Sequence, residues 1–214
     1  MKLIYLKEVN STQIYLKELI KNNNQTNICV YTFNQTQGLG SQNNKWEGKD
    51  GNLFFSFIIP IKDLPKDLKL QSASIYFSYI LKYYLSTLGS KVVLKWPNDF
   101  YIKENKIGGL ITNKIGENLI CGIGLNIKKT SSFEGYLDIN INKINLLEEY
   151  FKHLKVYPSW KQIFSKYKLE FHCNKNYFTN INNEKLLLKD LTLNDDGSLN
   201  INGKKVYSLR WLKL

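Results

Sequence analysis

Sixteen residues, 95–110, in which a strand must stop, turn and come back, constrain this chain more than any other stretch. Residues 92–94 (Val92, Val93, Leu94) read as a buried strand. Trp96-Pro97 ends it, because proline has no N–H to give a ladder. Asn98 and Asp99 follow, short polar side chains of the kind that bond nearby backbone at a turn. Residues 100–102 read as the next strand and 107–112 as its return, with Lys103-Glu104-Asn105-Lys106 between them. If the loop is Glu104-Asn105, Lys103 pairs with Lys106, and Asp99, Tyr101 and Lys103 share a sheet face with Lys106. That face carries a carboxylate and an ammonium. Gly108-Gly109 beside them bear no side chain, so another group can approach the backbone closely.

The rest of the chain alternates strands and helices. Residues 3–9 read as a first strand. Ile14, Leu16, Leu19 and Ile20 then recur at helical spacing behind Asn10 or Ser11 as N-cap. A helix start leaves N–H groups free and can receive a carboxylate or a neutral polar group; an ordinary cap is the competing reading. Residues 27–33 form a β-branched and aromatic strand, and 34–46 a polar loop with Gly38 and Gly40. Glycine-rich loops present N–H groups to phosphate, although most bind nothing. Residues 51–59 are strongly apolar and read as a central strand. Pro65 opens a helix that runs to about Leu88 and is stopped by Gly89. Residues 119–127 form a strand interrupted by Gly122 and Gly124, a sign of close ligand approach. Helices follow over 144–154 and 160–171, the second opened by Pro158-Ser159. From Tyr177 the pattern shifts to short strands, with a hairpin turn at Asp195-Asp196-Gly197.

The length, 214 residues, suffices for one sizeable domain and a small one. No apolar run approaches the ~18 residues of a membrane span, and the start is charged too soon for a signal peptide, so the expected location is the cytoplasm. Cys29, Cys121 and Cys173 are odd in number and lack the Cys-x-x-Cys spacing of a zinc set. The net charge of +12 admits nucleic acid, an anionic nucleotide or an acidic protein as partner. The lysines do not cluster in sequence, so most of the charge reads as composition.

Lys95-Trp96-Pro97-Asn98-Asp99, followed after a short hairpin by Lys106-Ile107-Gly108-Gly109, resembles the signature of the biotin protein ligases. The resemblance extends to Ser11-Thr12-Gln13, where the family has Ser-Thr-Asn. Gln35, Gly38, Gly40 and Trp46 match its ligand loop, and Gly122, Gly124 and Asn126 its last central strand. Leu39 and Ser41 stand where the family pattern has arginines, and Asn43 replaces a glycine. The resemblance implies an α+β fold: a mixed central sheet with flanking helices over residues 1–172, and a small C-terminal β-barrel-like domain over 173–214. It also implies a reaction in two steps, adenylation of biotin by ATP with Mg²⁺ and transfer to a lysine of a biotin carboxyl carrier domain. Biotin falls to Ser11, Thr12, Gln13, Gln35, Gly38, Leu39, Gly40, Ser41, Lys106, Gly108 and Gly109, and the nucleotide to Trp46, Lys95, Asn98 and Asn126. Lys106 would touch both the carboxylate and the α-phosphate. Asp99 would orient Lys106, hold the metal or take the incoming amine's proton; the metal ligands stay unassigned. With no reader helix expected before residue 1, DNA is not an expected partner, nor is a membrane; a homodimer is left open. The rivals are a lipoate or octanoate ligase or transferase of the same fold, and a non-catalytic basic protein binding biotin or nucleic acid.

Overall fold

The computed structural model describes residues 1–23, 26–40, 45, 46, 48, 50–129, 135–174, 176–181 and 184–207. Seven strands make the central sheet: β1 (Lys2–Tyr5), β2 (Ile28–Thr32), β5 (Leu53–Pro60), β6 (Val93–Lys95), β7 (Asp99–Ile102), β8 (Asn105–Ile115) and β9 (Asn118–Leu125). Their order is β1-β2-β5-β9-β8-β7-β6. β1 runs parallel to β2 and every other pair is antiparallel. The sheet is therefore mixed, as expected.

Alternation along the strands divides the molecule in two. Phe55, Phe57, Cys121, Ile123, Leu94 and Phe100 face the larger core. That core is covered by α2 (Ala73–Thr87), α3 (Lys143–Lys155) and α4 (Trp160–Cys173). Its centre is an edge-to-face cluster in which Phe57 meets Phe77 at 5.5 Å, Tyr150 at 5.9 Å and Phe151 at 5.3 Å. Such ring pairs add about 0.5–1.5 kcal/mol each beyond the area they bury. The opposite face is covered only in part. Val30, Ile58 and Ile120 pack there under Leu16 and Ile20 of α1 (Thr12–Asn23). Beyond the start of α1 the same face carries Ser56, Gly122, Gly124 and Gly109, which fill little space.

Three local expectations change. The helix expected from Pro65 begins at Ala73, preceded by short 3-10 turns at Ile61–Asp63 and Leu70–Ser72. Asp67 is spent elsewhere: its carboxylate accepts from the N–H of Trp160 and of Lys161, both at 3.0 Å, at the start of α4. The first strand is shorter than expected, and Val9 instead forms an isolated parallel bridge with Gln35. Within the polar loop, β3 (Gly38–Leu39) pairs with β4 (Lys45–Trp46), so the described part is a two-stranded strap.

Past α4, β10 (Phe178–Ile181) pairs with β11 (Glu184–Leu187), and β12 (Thr192–Leu193), β13 (Leu199–Ile201) and β14 (Lys204–Val206) form a three-stranded antiparallel sheet. The turn before β13 braces the core. Its carbonyls accept from Ser72 Oγ (Asp196), from Trp96 Nε1 at 2.8 Å (Gly197) and from Trp160 Nε1 at 3.0 Å (Asp195). Gly197 has φ +76°, a backbone conformation that favours glycine, and a Cβ there would lie 2.8 Å from Ile75 Cδ1.

Candidate active site

The hairpin reaches the expected face by an unexpected route. Ile102 pairs with Asn105, so the loop is Lys103-Glu104 and not Glu104-Asn105; Lys103 takes the left-handed conformation at φ 52°. Lys106 therefore pairs with Tyr101, not with Lys103. Phe100 pairs with Gly108, so Ile107 is a bulged extra residue. The bulge shifts the alternation by one. Ile107 turns fully inward, and Lys106 comes out on the face of Asp99 and Tyr101. Its Nζ lies 2.7 Å from Asp99 Oδ1, with the side chains 40% and 23% exposed. Gly109 pairs with Asp99 on one side and Gly124 on the other. A Cβ at Gly109 would sit 3.0 Å from Asp99 Oδ1.

These groups line a cavity of about 390 Å³. Its buried end is the start of α1. Ser11 caps the helix loosely, accepting from Ile14 N at 3.5 Å. Thr12 N donates to Gln35 Oε1 at 2.9 Å, and Thr12 Oγ1 reaches Gln35 Oε1 at 3.2 Å and Ser56 Oγ at 2.8 Å. The segment after β2 runs beside residues 9 and 10, with Thr36 N donating to Val9 O and Gln37 N to Asn10 O, and this holds Gln35 under the helix. Ser11, Thr12 and Gln13 are 2–3% exposed. Gln13 Nε2, in contact range of Gly122, has no hydrogen-bond partner among the described residues.

The other end is roofed by Trp46. A Cβ at Gly124 would lie 2.8 Å from Trp46 Nε1, so the indole rests on bare backbone of β9. Its N–H also lacks a partner among the described residues, and Lys106 Nζ lies 5.5 Å from its ring centroid. Leu39 and Gly40 line the same side. Asn98 donates through Nδ2 to Leu110 O and accepts Leu110 N through its own carbonyl, which fixes the turn after β6. Asn126 also lines the cavity, yet its side chain is already engaged, accepting from Asn52 Nδ2 and donating to Gly135 O, both at 3.3 Å.

Three residues singled out in the sequence do not line this cavity. Lys95 Nζ donates to Tyr101 Oη at 3.3 Å; burial holds its ammonium below the ordinary value, with Asp99 pulling the other way. Gly38 makes room for the Gln35 amide and the Trp46 backbone, each 2.6 Å from where its Cβ would be. Gly108 faces the core, where a Cβ would lie 2.6 Å from Gly124 O. Ser41 and Asn43 fall outside the described residues. Ser56 and Ile111 line the cavity although the motifs did not mark them. Ser56 had one signal, a lone hydroxyl in the apolar run Phe54, Phe55, Phe57, Ile58.

A model of the biotin/lipoate A/B protein ligase family matches residues 5–128. The chain belongs to that family. Among its relatives the bifunctional ligase/repressor BirA of Bacillus spizizenii is 29% identical over 134 residues, 60% of this chain and 41% of BirA. The chain thus spans about two fifths of the length of that curated relative. The crystal structure of biotin acetyl coenzyme A carboxylase synthetase from Helicobacter pylori, with bound biotinylated ATP, is 36% identical with a TM-score of 0.91, over 96% of this chain and 99% of that one. Biotin protein ligase from Aquifex aeolicus in complex with biotin and ATP, 24% identical with a TM-score of 0.76 over 99% of both chains, shares the ligase-family fold.

Proposed function

We propose that the chain is an ATP-dependent biotin–protein ligase. The observation that carries the reading is the polarity of the cavity. Buried neutral groups sit at one end, and a half-exposed ammonium, ion-paired to Asp99, sits at the other. That matches an acid with a neutral polar head and a carboxylate tail, as in biotin. Gln13 Nε2 supports this over the lipoyl or octanoyl alternative, because a buried donor facing an apolar head costs about 1–3 kcal/mol. The H. pylori protein is similar to this chain and has biotinylated ATP bound, a ligand that carries both a neutral head and phosphate.

In the first step a biotin carboxylate oxygen bonds to the α-phosphorus of ATP and pyrophosphate leaves. Lys106 donates to the carboxylate and the α-phosphate as negative charge gathers between them. In the second, a carrier lysine nitrogen bonds to the carboxyl carbon, AMP leaves, and the amine gives up a proton within reach of Asp99. Asp99 is the carboxylate lining the cavity, and among the described residues no three ligating side chains gather into a metal cluster. Asp99 is the side chain that would hold Mg²⁺ here, and the ion would neutralise phosphate charge. Residues 1–172 carry the chemistry, and within the smaller C-terminal part the turn at Gly197 braces Trp96 of the motif from outside. Among the described residues no helix is long and apolar enough to cross a membrane, and Cys29 and Cys121 are free, buried thiols; both suit a cytoplasmic enzyme.

The test supplies biotin, ATP, magnesium and a biotin carboxyl carrier domain, and reads transfer by streptavidin blot. The wild-type protein should label the carrier only with ATP present. Lys106→Ala should lose about 10²–10³ in pyrophosphate release with its melting temperature unchanged. No label at any enzyme concentration, or a Lys106→Ala rate within threefold of wild type, would sink the reading.

A further inference from the structure

The catalytic cavity is short of positive charge for the reaction assigned to it. Among the described residues lining it, Lys106 is the one cationic side chain, and its Nζ already lies 2.7 Å from Asp99 Oδ1. Joining an acid to the α-phosphorus of ATP expels pyrophosphate, which carries several negative charges. Such a group is stabilised by fixed cations placed where its charge develops. The sheet offers a second ammonium one strand further out.

Lys95 of β6 is the Cα partner of Asp99 of β7, and Gly109 of β8 is the partner of Asp99 on its other side. Partners in an antiparallel pair project to the same face. The residues between, Leu94, Trp96 and Phe100, face the core, so Lys95, Asp99 and Tyr101 stand on the face that carries the cavity. Lys95 Nζ donates to Tyr101 Oη at 3.3 Å, and Tyr101 is the partner of Lys106. One ammonium from β6 and one from β8 therefore flank Asp99 and Tyr101. Lys106 has its carboxylate; Lys95 has none, for it is half-buried and among the described residues no carboxylate forms an ion pair with it. An ammonium that has shed part of its water without gaining an anion carries an unmet cost, which an arriving anion relieves. Having accepted from Lys95, Tyr101 Oη keeps its own hydrogen to donate. Direction agrees with charge. Displacement at phosphorus runs in line, the leaving oxygen opposite the attacking one. The acid fills the buried end at α1, and Trp46 covers Gly124. The half-exposed side is that of Lys106 and Asp99, and the strand beyond Asp99 is β6.

We propose that Lys95, with the Tyr101 hydroxyl, holds the pyrophosphate end of ATP and receives the leaving pyrophosphate. As the carboxylate oxygen bonds to the α-phosphorus, the bridging bond between the α-phosphorus and the leaving oxygen breaks, and its electron pair stays on the pyrophosphate. Lys95 donates hydrogen bonds to that group and keeps its proton. The inference rests on the ligase reading for the reaction, and on the strand register and the unpaired ammonium for the residue.

The experiment separates the half-reactions, because only the first involves pyrophosphate. Lys95→Met removes the charge and keeps the length of the side chain; Lys95→Arg keeps the charge. Biotinyl-adenylate prepared chemically is given to each protein in two assays. With pyrophosphate, the protein runs the first half-reaction backwards, and the ATP formed is read by luciferase. With a biotin carboxyl carrier domain and no ATP, it runs the second alone, read by streptavidin blot. Lys95→Met should raise KM for pyrophosphate about 10–100-fold, the worth of one charge-assisted contact, and slow adenylate synthesis from ATP by a similar factor. Carrier labelling from the adenylate should stay within about twofold of wild type. Lys95→Arg should recover pyrophosphate KM to within about fivefold. Tyr101→Phe should raise it about threefold, again with transfer unmoved, and serves if Lys95→Met does not fold. Pyrophosphate KM within twofold of wild type in both Lys95→Met and Tyr101→Phe overturns the proposal. So does an equal fall in both half-reactions, which would make Lys95 a support of the fold. Failure of the ligase reading looks different: the wild-type protein would neither form ATP from the adenylate nor label the carrier with it.

Discussion

Gly108 and Gly109 are neighbours with opposite duties, and replacing each by alanine separates stability from chemistry. A methyl at Gly108 would lie 2.6 Å from Gly124 O, 3.0 Å from Leu125 Cδ1 and 3.1 Å from Phe100 Cδ2. An ordinary C···O contact is about 3.3 Å, so about 0.7 Å must be taken up, and a ladder carbonyl cannot rotate away. Overpacking of this kind costs about 1–3 kcal/mol. A protein of this size loses about 2–4 °C in melting temperature per kcal/mol, so Gly108→Ala should melt about 2–12 °C lower. At Gly109 the methyl meets Asp99 Oδ1 at 3.0 Å, with Lys106 Cε at 3.7 Å. The carboxylate can swing aside at little cost to the fold, but that oxygen is the one 2.7 Å from Lys106 Nζ. Misaligning one charge-assisted bond is worth about 1.5–3 kcal/mol, or about 10–150-fold in rate. Gly109→Ala should therefore melt within about 2 °C of wild type and release pyrophosphate at least tenfold more slowly. Any gain from restricting the unfolded chain is common to both substitutions and cancels in the comparison. Differential scanning fluorimetry and a coupled pyrophosphate assay read the two quantities. Equal losses of melting temperature, or a Gly109→Ala rate within threefold of wild type, would refute the assignment of the two faces.

Two further outcomes are expected. Thr12→Val keeps the shape of Thr12 and removes a hydroxyl shared by Gln35 and Ser56, leaving buried oxygens short of a partner at about 1–3 kcal/mol; calorimetry should show biotin binding weakened about tenfold, and binding within twofold of wild type would contradict it. At Asp196 burial pushes the carboxyl up, but hydrogen bonds from Ser198, Lys205 and Tyr207 more than offset this and hold it well below the carboxylate range. A depressed folded value gives stability that is full above the unfolded value of about 3.9 and fades as pH falls below it, so Asp196→Asn should melt lower than wild type at pH 7 with the gap closing in acid; a gap that widens in acid would be the wrong sign.

Much of the site was legible because its chemistry sits in short local motifs. Lys106 and Asp99 were placed on one face, although the turn assumed for them was wrong. A bulge at Ile107 restored the alternation that a shifted loop would have broken, and nothing in the sequence of a β-branched residue marks it as the extra one. The start of α2 was misplaced because Pro65 read as a helix opening, whereas Asp67 beside it caps a helix ninety-three residues away. Lys95 carried the motif yet turned past its cross-strand partner Asp99 to the diagonal Tyr101. Ser56 went unmarked because it becomes polar floor only when β5 is paired with the glycines of β9.

That floor has a consequence for how the site can change. Across β7, β8 and β9 the register sets Asp99, Gly109 and Gly124 side by side, so the base of the cavity is peptide backbone. A surface of main chain can be filled by substitution but not reshaped by it. Beside Ser56, routes to a ligand of different width or polarity run through the walls, among them Gln13 on a helix end and Leu39 and Trp46 on a two-stranded strap. These elements contribute little to the large aromatic core, so they are free to vary without unsettling the sheet, and ligand range can drift while the reacting end stays where the backbone puts it.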